Sequence, residues 1–384
     1  MKTHYYTVLF AASVLLTACY STRPYYASEH SGWEALEYPT SKDPIHTIYL
    51  LGDVGEDPSK SSSVLGLLQN LLKETNNEKS VVFLGDNIYS EGLPDSTDHE
   101  RPNSELRINA QLDAVKESGA RIYFVPGNHD WAKGDEEGLE QVGREERYVE
   151  AYLGQGNSYL PDNGCPGPQE VKVDENICII ALDAQWWLYG DDKPTGASSG
   201  CIENETGFKE KFTGILDANQ DKMILIISHH PLYSNGNHGG RYPFVEHLFP
   251  MTALHKALLI PFPIIGSIYP AYRHFIGNIQ DLTNSTYKEY ISLIEGILKG
   301  RKNIIYAAGH EHNLQYKELN GQHHLVSGSG SKTTYLARNK KIDFGASQKG
   351  LMKLNFYGNK EVWLETILPG KDKSPVLIFK TKLR

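Results

Sequence analysis

The sequence predicts an α/β protein, and three observations carry that reading. Short apolar runs of strand length alternate with stretches whose apolar residues recur at helical spacing. Five of those runs end in a cluster of Asp, Asn, His and Gly. Composition is that of a globular chain, 40% hydrophobic and 22% charged over 384 residues, with no internal repeat or low-complexity tract. That length suffices for one large domain or two ordinary ones. The net charge of −9, a pI near 5.9 and the lack of a long basic run argue against nucleic acid as a partner.

The first segment reads as an export signal and stands outside the fold. Lys2 and His4 precede an apolar run, Thr7 to Ala18, that is too short to span a bilayer. The run closes on Leu16-Thr17-Ala18-Cys19, which is similar to the lipobox of bacterial lipoproteins, where cleavage before the Cys leaves a lipid-modified N-terminus. On this reading residues 1–18 are removed and lipidated Cys19 holds the protein to a membrane of the bacterial cell envelope, at the outer membrane or periplasmic face. An ordinary secretory signal is the alternative, with a soluble secreted or periplasmic product. Residues 19–46, rich in Tyr, Ser and Pro, read as a tether, and residues 47–384 as the folded domain. Besides Cys19 there are three Cys. Cys178 lies in the apolar run Ile177 to Leu182 and reads as a buried thiol, while Cys165 and Cys201 lie in loops where a disulfide is plausible after export.

In chain order, the strand-like run Thr47 to Leu51 ends in Gly52-Asp53-Val54-Gly55. Val64, Leu68, Leu71 and Leu72 then mark one face of a helix. Ser80 to Leu84 ends in Gly85-Asp86-Asn87-Ile88-Tyr89, and a second helix is expected within Ser104 to Ser118. Arg121 to Val125 leads to Gly127-Asn128-His129-Asp130, and Lys222 to Ile227 to Ser228-His229-His230-Pro231. Tyr287, Tyr290, Ile291, Ile294 and Leu298 mark a helix stopped by Gly300. Asn303 to Ala307 ends in Gly309-His310-Glu311-His312, and Leu351 to Ile367 reads as a hairpin about Gly358-Asn359.

The carboxyl ends of strands are where sites gather in α/β sheets, so the five clusters point to one place. Asp86 can reach two metal ions at once, roughly 3.5–4 Å apart, because a carboxylate has two oxygens. A phenol such as Tyr89 binds metal well only as phenolate, which demands a strongly charged ion beside it. His310 and His312 are two apart, so on an extended segment they point the same way. Taken singly, each residue has a plain structural explanation: Gly52 and Gly55 a turn, Asn128 a helix cap, His229 a packed strand end. Their joint arrangement favours a site. His247, His255, His274, His323 and His324 have no comparable setting and read as packed or surface histidines.

These five ordered blocks resemble those of purple acid phosphatases, within the calcineurin-like metallophosphoesterase superfamily. The stretch from Gly309 to Tyr316 is most similar to the small, tartrate-resistant branch, and the resemblance spans about Thr47 to Ser331. It implies a metallophosphoesterase fold of two packed mixed β-sheets flanked by helices. It also implies a ferric site of Asp53, Asp86, Tyr89 and His312, and a divalent site (Fe2+, Zn2+ or Mn2+) of Asp86, Asn128, His229 and His310. The superfamily usually carries Asp-x-His in its first block, whereas this chain has Asp53-Val54-Gly55 and offers Tyr89. The first set suits a hard trivalent ion, the second a softer divalent one. His230 competes with His229, which is preferred because it directly follows the strand. The implied activity is hydrolysis of phosphomonoesters by a metal-activated hydroxide, with His129 and His238 contacting phosphate or protonating the leaving group.

Two other readings stay open: a phosphodiesterase or nucleotide pyrophosphatase using the same site, and a surface lipoprotein that binds metal or phosphate without turnover. The expected partner is a small phosphorylated substrate; the sequence says nothing of oligomeric state. The stretch 241–281 is an apolar insertion whose prolines exclude a spanning helix. It reads either as a packed cover for the core or as a lid near His238 that narrows the entrance or rests on the membrane.

Overall fold

The computed structural model describes residues 23–39, 43–190, 193–196, 198–253, 258, 260–262 and 264–384. Strand β1 (Tyr25–Tyr26) comes first, then β2 (His46–Leu51), α1 (Pro58–Glu74), β3 (Glu78–Leu84), α2 (Arg101–Val115) and β4 (Arg121–Val125). Next come α3 (Gly138–Leu153), β5 (Gln169–Lys172), β6 (Ile177–Ala181), the single turn α4 (Gln185–Leu188), α5 (Glu205–Ala218) and β7 (Met223–Ile227). The insertion contributes α6 (Phe244–Leu248) and α7 (Ile268–Phe275), ahead of α8 (Ser285–Leu298) and β8 (Ile304–Ala308). Strands β9 (Leu314–Leu319), β10 (Gln322–Ser327), β11 (Phe344–Ala346), β12 (Leu351–Phe356), β13 (Val362–Pro369) and β14 (Pro375–Lys382) follow.

The strands form two mixed sheets, ordered β14-β13-β12-β2-β3-β4 and β1-β11-β9-β10-β8-β7-β6-β5. Within the first, β2, β3 and β4 are parallel, with Leu51 beside Phe83. Within the second, β6, β7, β8 and β10 are parallel. Parallel neighbours send their carboxyl ends to one rim, which is how each sheet collects its loops.

Alternation along the strands builds the layers. Ile48 and Leu50 enter a core shared with Ile179, Leu225 and Ile305 of the facing sheet. Tyr49 and Leu51 point the other way and join Val64, Leu68, Ile108 and Leu112 of α1 and α2. On the far side Ile224 and Ile226 pack with Phe208 and Phe212 of α5 and Tyr290 and Ile294 of α8. The result is helix, sheet, sheet, helix, with each buried large apolar side chain contributing about 1.5–3 kcal/mol. Capping fixes where helices begin: the Asp57 carboxylate accepts from Ser59 N at 2.9 Å ahead of Pro58, and Asn284 accepts from Thr286 N at 3.0 Å. The expected hairpin is β12 with β13, Leu351 pairing with Ile367, and β14 adds a further strand.

The tether expected over residues 19–46 differs from what is found in its described part. Tyr25 and Tyr26 pair with Gly345 and Phe344, and the Tyr26 hydroxyl donates to the Ile378 carbonyl at 2.8 Å. Trp33 stacks near Tyr26, and Tyr38 donates to Glu365 at 2.9 Å beside Trp363. These aromatic residues have no periodicity to announce them, yet each packs against strands near the C-terminal end of the chain. The export signal, the lipobox and Cys19 lie outside the described residues, as does His255.

Cys165 and Cys201 form a disulfide, and Cys178 is a buried free thiol. Among the described residues no helix is long and apolar enough to cross a membrane. Within the described part of the insertion, Ile264, Ile265, Ile268 and Phe275 face outward, while Arg273 and Asp281 are buried.

Candidate metal centre

The loops after β2, β3 and β4 meet the loops after β7 and β8, so the site is assembled from both sheets. Asp53, Asp86 and His310 each adopt a left-handed backbone, with φ of 59°, 52° and 68°. Such conformations cost non-glycine residues about 1–3 kcal/mol each and persist where surrounding structure holds them. Two glycines permit the close approach: a Cβ on Gly127 would lie 2.3 Å from Asp86 Oδ1, and one on Gly85 would lie 2.5 Å from His229 Nδ1.

Asp86 divides the site in two. On one side His229 Nδ1 lies 2.8 Å from the Leu84 carbonyl, so Nδ1 carries the proton and Nε2 presents a lone pair. That lone pair faces Asn128 Oδ1 at 3.1 Å and Asp86 Oδ1 at 3.3 Å. His310 repeats the pattern: its Nε2 donates to the Gln280 carbonyl at 2.8 Å, leaving Nδ1 3.1 Å from Asn128 Oδ1 and 3.2 Å from His229 Nε2. Burial holds the His310 imidazole well below its ordinary pKa, so it is neutral. Four lone-pair atoms therefore converge in a buried place, an arrangement that a cation satisfies.

On the other side the Tyr89 hydroxyl lies 2.9 Å from both Asp53 Oδ1 and Asp86 Oδ2, and 3.3 Å from His312 Nε2. His312 Nε2 is also 3.3 Å from Asp53 Oδ1. Burial and the two carboxylates push the Tyr89 phenol well above its ordinary pKa, while burial and nearby Lys332 push His312 down to about 3. A phenol proton shared between two carboxylates is displaced only by a group of high positive charge density. Asp53, Asp86 and His229 each offer an atom within 4.8 Å of the others and could hold a metal ion. The donor set suits a metal pair sharing Asp86.

His129 and His238 flank this centre. His129 Nδ1 donates to the Ser90 carbonyl at 2.6 Å, and its Nε2 lies 3.8 Å from Asp86 Oδ2. His129 also borders a cleft of about 530 Å³ with Tyr89, Arg107 and Lys332. The His238 ring lies 4.1 Å from that of His310, and its Nδ1 is 3.0 Å from Asp281 Oδ1, leaving Nε2 for a ligand. His230 is turned away, 2.7 Å from Gln280 Oε1. Of the set-aside histidines, His323 and His324 are buried, His247 lies 3.2 Å from Ser267 Oγ, and His274 donates to the Gly240 carbonyl at 3.0 Å.

Several contributors were not singled out by the sequence reading. Asp130 is buried and accepts from the backbone of Asn87, Ile88 and Gly127 at 2.9, 3.1 and 2.7 Å, tying the loops after β3 and β4 together. Glu311 accepts from His238 N and Gly239 N at 2.5 and 3.1 Å. Arg273 pairs with Asp281 and so reaches His238 from the insertion. Lys332 Nζ sits 3.4 Å from the Tyr89 ring centroid. Asp130 and Glu311 stood inside the strand-end tetrapeptides Gly127-Asn128-His129-Asp130 and Gly309-His310-Glu311-His312, where a carboxylate with no assigned role was the available signal; Arg273, Asp281 and Lys332 carried none.

The fold is similar to that of GAP50, described as the anchor in the inner membrane complex of Plasmodium, at 16% identity over 89% of each chain with a TM-score of 0.54. It is also similar to purple acid phosphatase PPD1 from yellow lupin (Lupinus luteus) seeds, at 15% identity and a TM-score of 0.52. That match covers 89% of this chain and 54% of the lupin chain. At these identities the likeness is one of fold. No curated protein sequence matches the chain. The calcineurin-like phosphoesterase profile matches residues 46–258, a stretch containing Asp53, Asp86, Tyr89, Asn128 and His229 and more than half the sequence. The chain therefore belongs to the calcineurin-like phosphoesterase family.

Proposed function

We propose that this protein hydrolyses phosphomonoesters at a binuclear metal centre of the purple acid phosphatase kind. The observation that carries the reading is the division of Asp86, with Oδ1 toward His229 and Oδ2 toward Tyr89. Asp53, Asp86, Tyr89 and His312 would hold a ferric ion, and Asp86, Asn128, His229 and His310 a divalent one, Fe2+, Zn2+ or Mn2+. When bound, such a pair supplies Lewis acidity toward a phosphoryl oxygen and an activated water.

The remaining work falls to the chain's own side chains. His129 and His238 approach the centre from two sides, each fixed through Nδ1, so Nε2 of either can hydrogen-bond a phosphoryl oxygen or protonate the leaving oxygen. Burial lowers the His238 pKa, but its bond to Asp281 together with the negative charges of Glu311 and Asp281 carries the net shift upward, which favours the proton-carrying form. Lys332 adds positive charge beside Tyr89 where an anionic ester would arrive. The acidic optimum, the tartrate-resistant character and attachment to the cell envelope through lipidated Cys19 belong to the same reading.

The test is metal analysis and a visible spectrum of purified protein, with turnover on chromogenic mono- and diesters. Iron with a visible absorption band and preference for monoesters is expected. A colourless, iron-free enzyme of full activity overturns the ferric assignment, and diester preference overturns the substrate class. GAP50 carries this fold and is described as an anchor; metal-loaded protein with no turnover on any phosphoester would place this chain in a non-catalytic role.

A further inference from the structure

The outer face of the insertion is apolar and open to solvent. Ile264 is 85% exposed, Phe275 74% and Phe244 73%, with Ile265, Ile268 and Tyr272 exposed beside them. Helix α7 is inverted relative to an ordinary surface helix. Ile268, Tyr272 and Phe275 recur at helical spacing on its solvent side, while Arg273 is buried against Asp281. A contiguous apolar face of this sort marks an interaction surface.

Two further observations bear on its occupant. Glu246 is the sole carboxylate between Arg241 and Gln280, in a chain whose net charge is −9. An anionic surface therefore meets little fixed negative charge on this stretch. The described chain also begins beside the root of the insertion. Arg338 Nη2 donates to the Pro24 carbonyl at 3.3 Å, and Ala337 N donates to the Asn235 carbonyl at 3.0 Å. Leu336 bridges Gly236, whose carbonyl accepts from Arg241 N at 3.0 Å. Cys19 precedes Arg23 by four residues, a reach of at most about 14 Å.

We propose that the outward face of the insertion seats in the interfacial layer of a lipid bilayer beside the anchored N-terminus. Ile and Phe side chains supply the apolar contact, and Tyr269 and Tyr272 suit the headgroup level, where phenols keep a wet hydroxyl. The neighbourhood of the anchor rests on the Cys19 reading proposed above; the apolar face does not.

The test uses full-length Cys19→Ser protein with vesicles of phosphatidylethanolamine and phosphatidylglycerol. Co-sedimentation is expected, and adding Ile264→Ser, Ile268→Ser and Phe275→Ser should weaken partitioning at least about tenfold. Melting temperature and turnover of a soluble ester should stay unchanged, since none of the three side chains belongs to the metal centre. Absence of vesicle binding by the Cys19→Ser protein, or equal binding by the triple variant, overturns the proposal. A concentration-dependent dimer that the triple variant abolishes, without vesicle binding, assigns the face to a second copy and also overturns it. The mass of wild-type Cys19 is read separately: an unmodified residue alongside vesicle binding supports docking and overturns only the anchor.

Discussion

Asp86 carries two demands at once, since its oxygens face different donor sets and Oδ1 also accepts from His129 N at 3.0 Å. Replacing one oxygen by an amide nitrogen puts N–H groups where lone pairs are needed. Asp86→Asn is therefore expected to lower bound metal at both sites together and to reduce turnover at least about 100-fold. Elemental analysis with an ester assay checks this, and retention of two metal equivalents with normal turnover would sink the bridging role. Asp86 was legible in the sequence because it sits in a short Gly-flanked segment at a strand end. Asp130 was less so: its partners are backbone N–H groups, which leave no residue-type signature, although it stood in the same tetrapeptide as Asn128 and His129.

At the scale of elements, α7 and the loop after it reach into the site, since Arg273 and Asp281 hold His238. Asp281→Asn should lower kcat about 10- to 100-fold while leaving metal content and KM near wild type. An unchanged kcat would show that His238 needs no such orientation. Strand β10 supplies a different test. His324 is buried beside the rings of Tyr233 and Tyr306, and burial lowers its pKa from 6.5 to about 3. The folded protein thus keeps this imidazole neutral where the unfolded chain protonates it. Its contribution is complete above about 6.5 and is lost as pH falls toward 3, a change on the order of 3–5 kcal/mol. His324→Leu should flatten that acid limb in denaturant titrations across the same pH window; an identical pH slope in variant and wild type would refute the assignment. The sequence marked His324 as packed or surface, and only the neighbours brought by other strands decide between the two.

For the whole molecule, the layers and the convergence of the polar strand ends were legible because parallel strands buried on both faces read as continuous apolar runs. Two parts were not. Residues 23–39 fold by placing scattered aromatic side chains on an edge built by residues more than three hundred positions later, a relation no local pattern records. The orientation of the insertion was equally hidden, since an apolar sequence does not say whether its side chains point inward. The joint construction of the centre has a consequence for cohesion. Asp53, Asp86 and Asn128 come from one sheet, and His229, His310 and His312 from the other, so a metal pair bound as proposed would act as a rivet across the seam. Metal and folding are then linked quantities: at a free concentration 100 times Kd, each bound ion adds about 2.7 kcal/mol to stability. Chelation should lower the melting temperature by several degrees, and re-addition of metal should restore it. In Asp86→Asn protein the same treatment should leave the melting temperature almost unmoved, because the rivet has already been drawn.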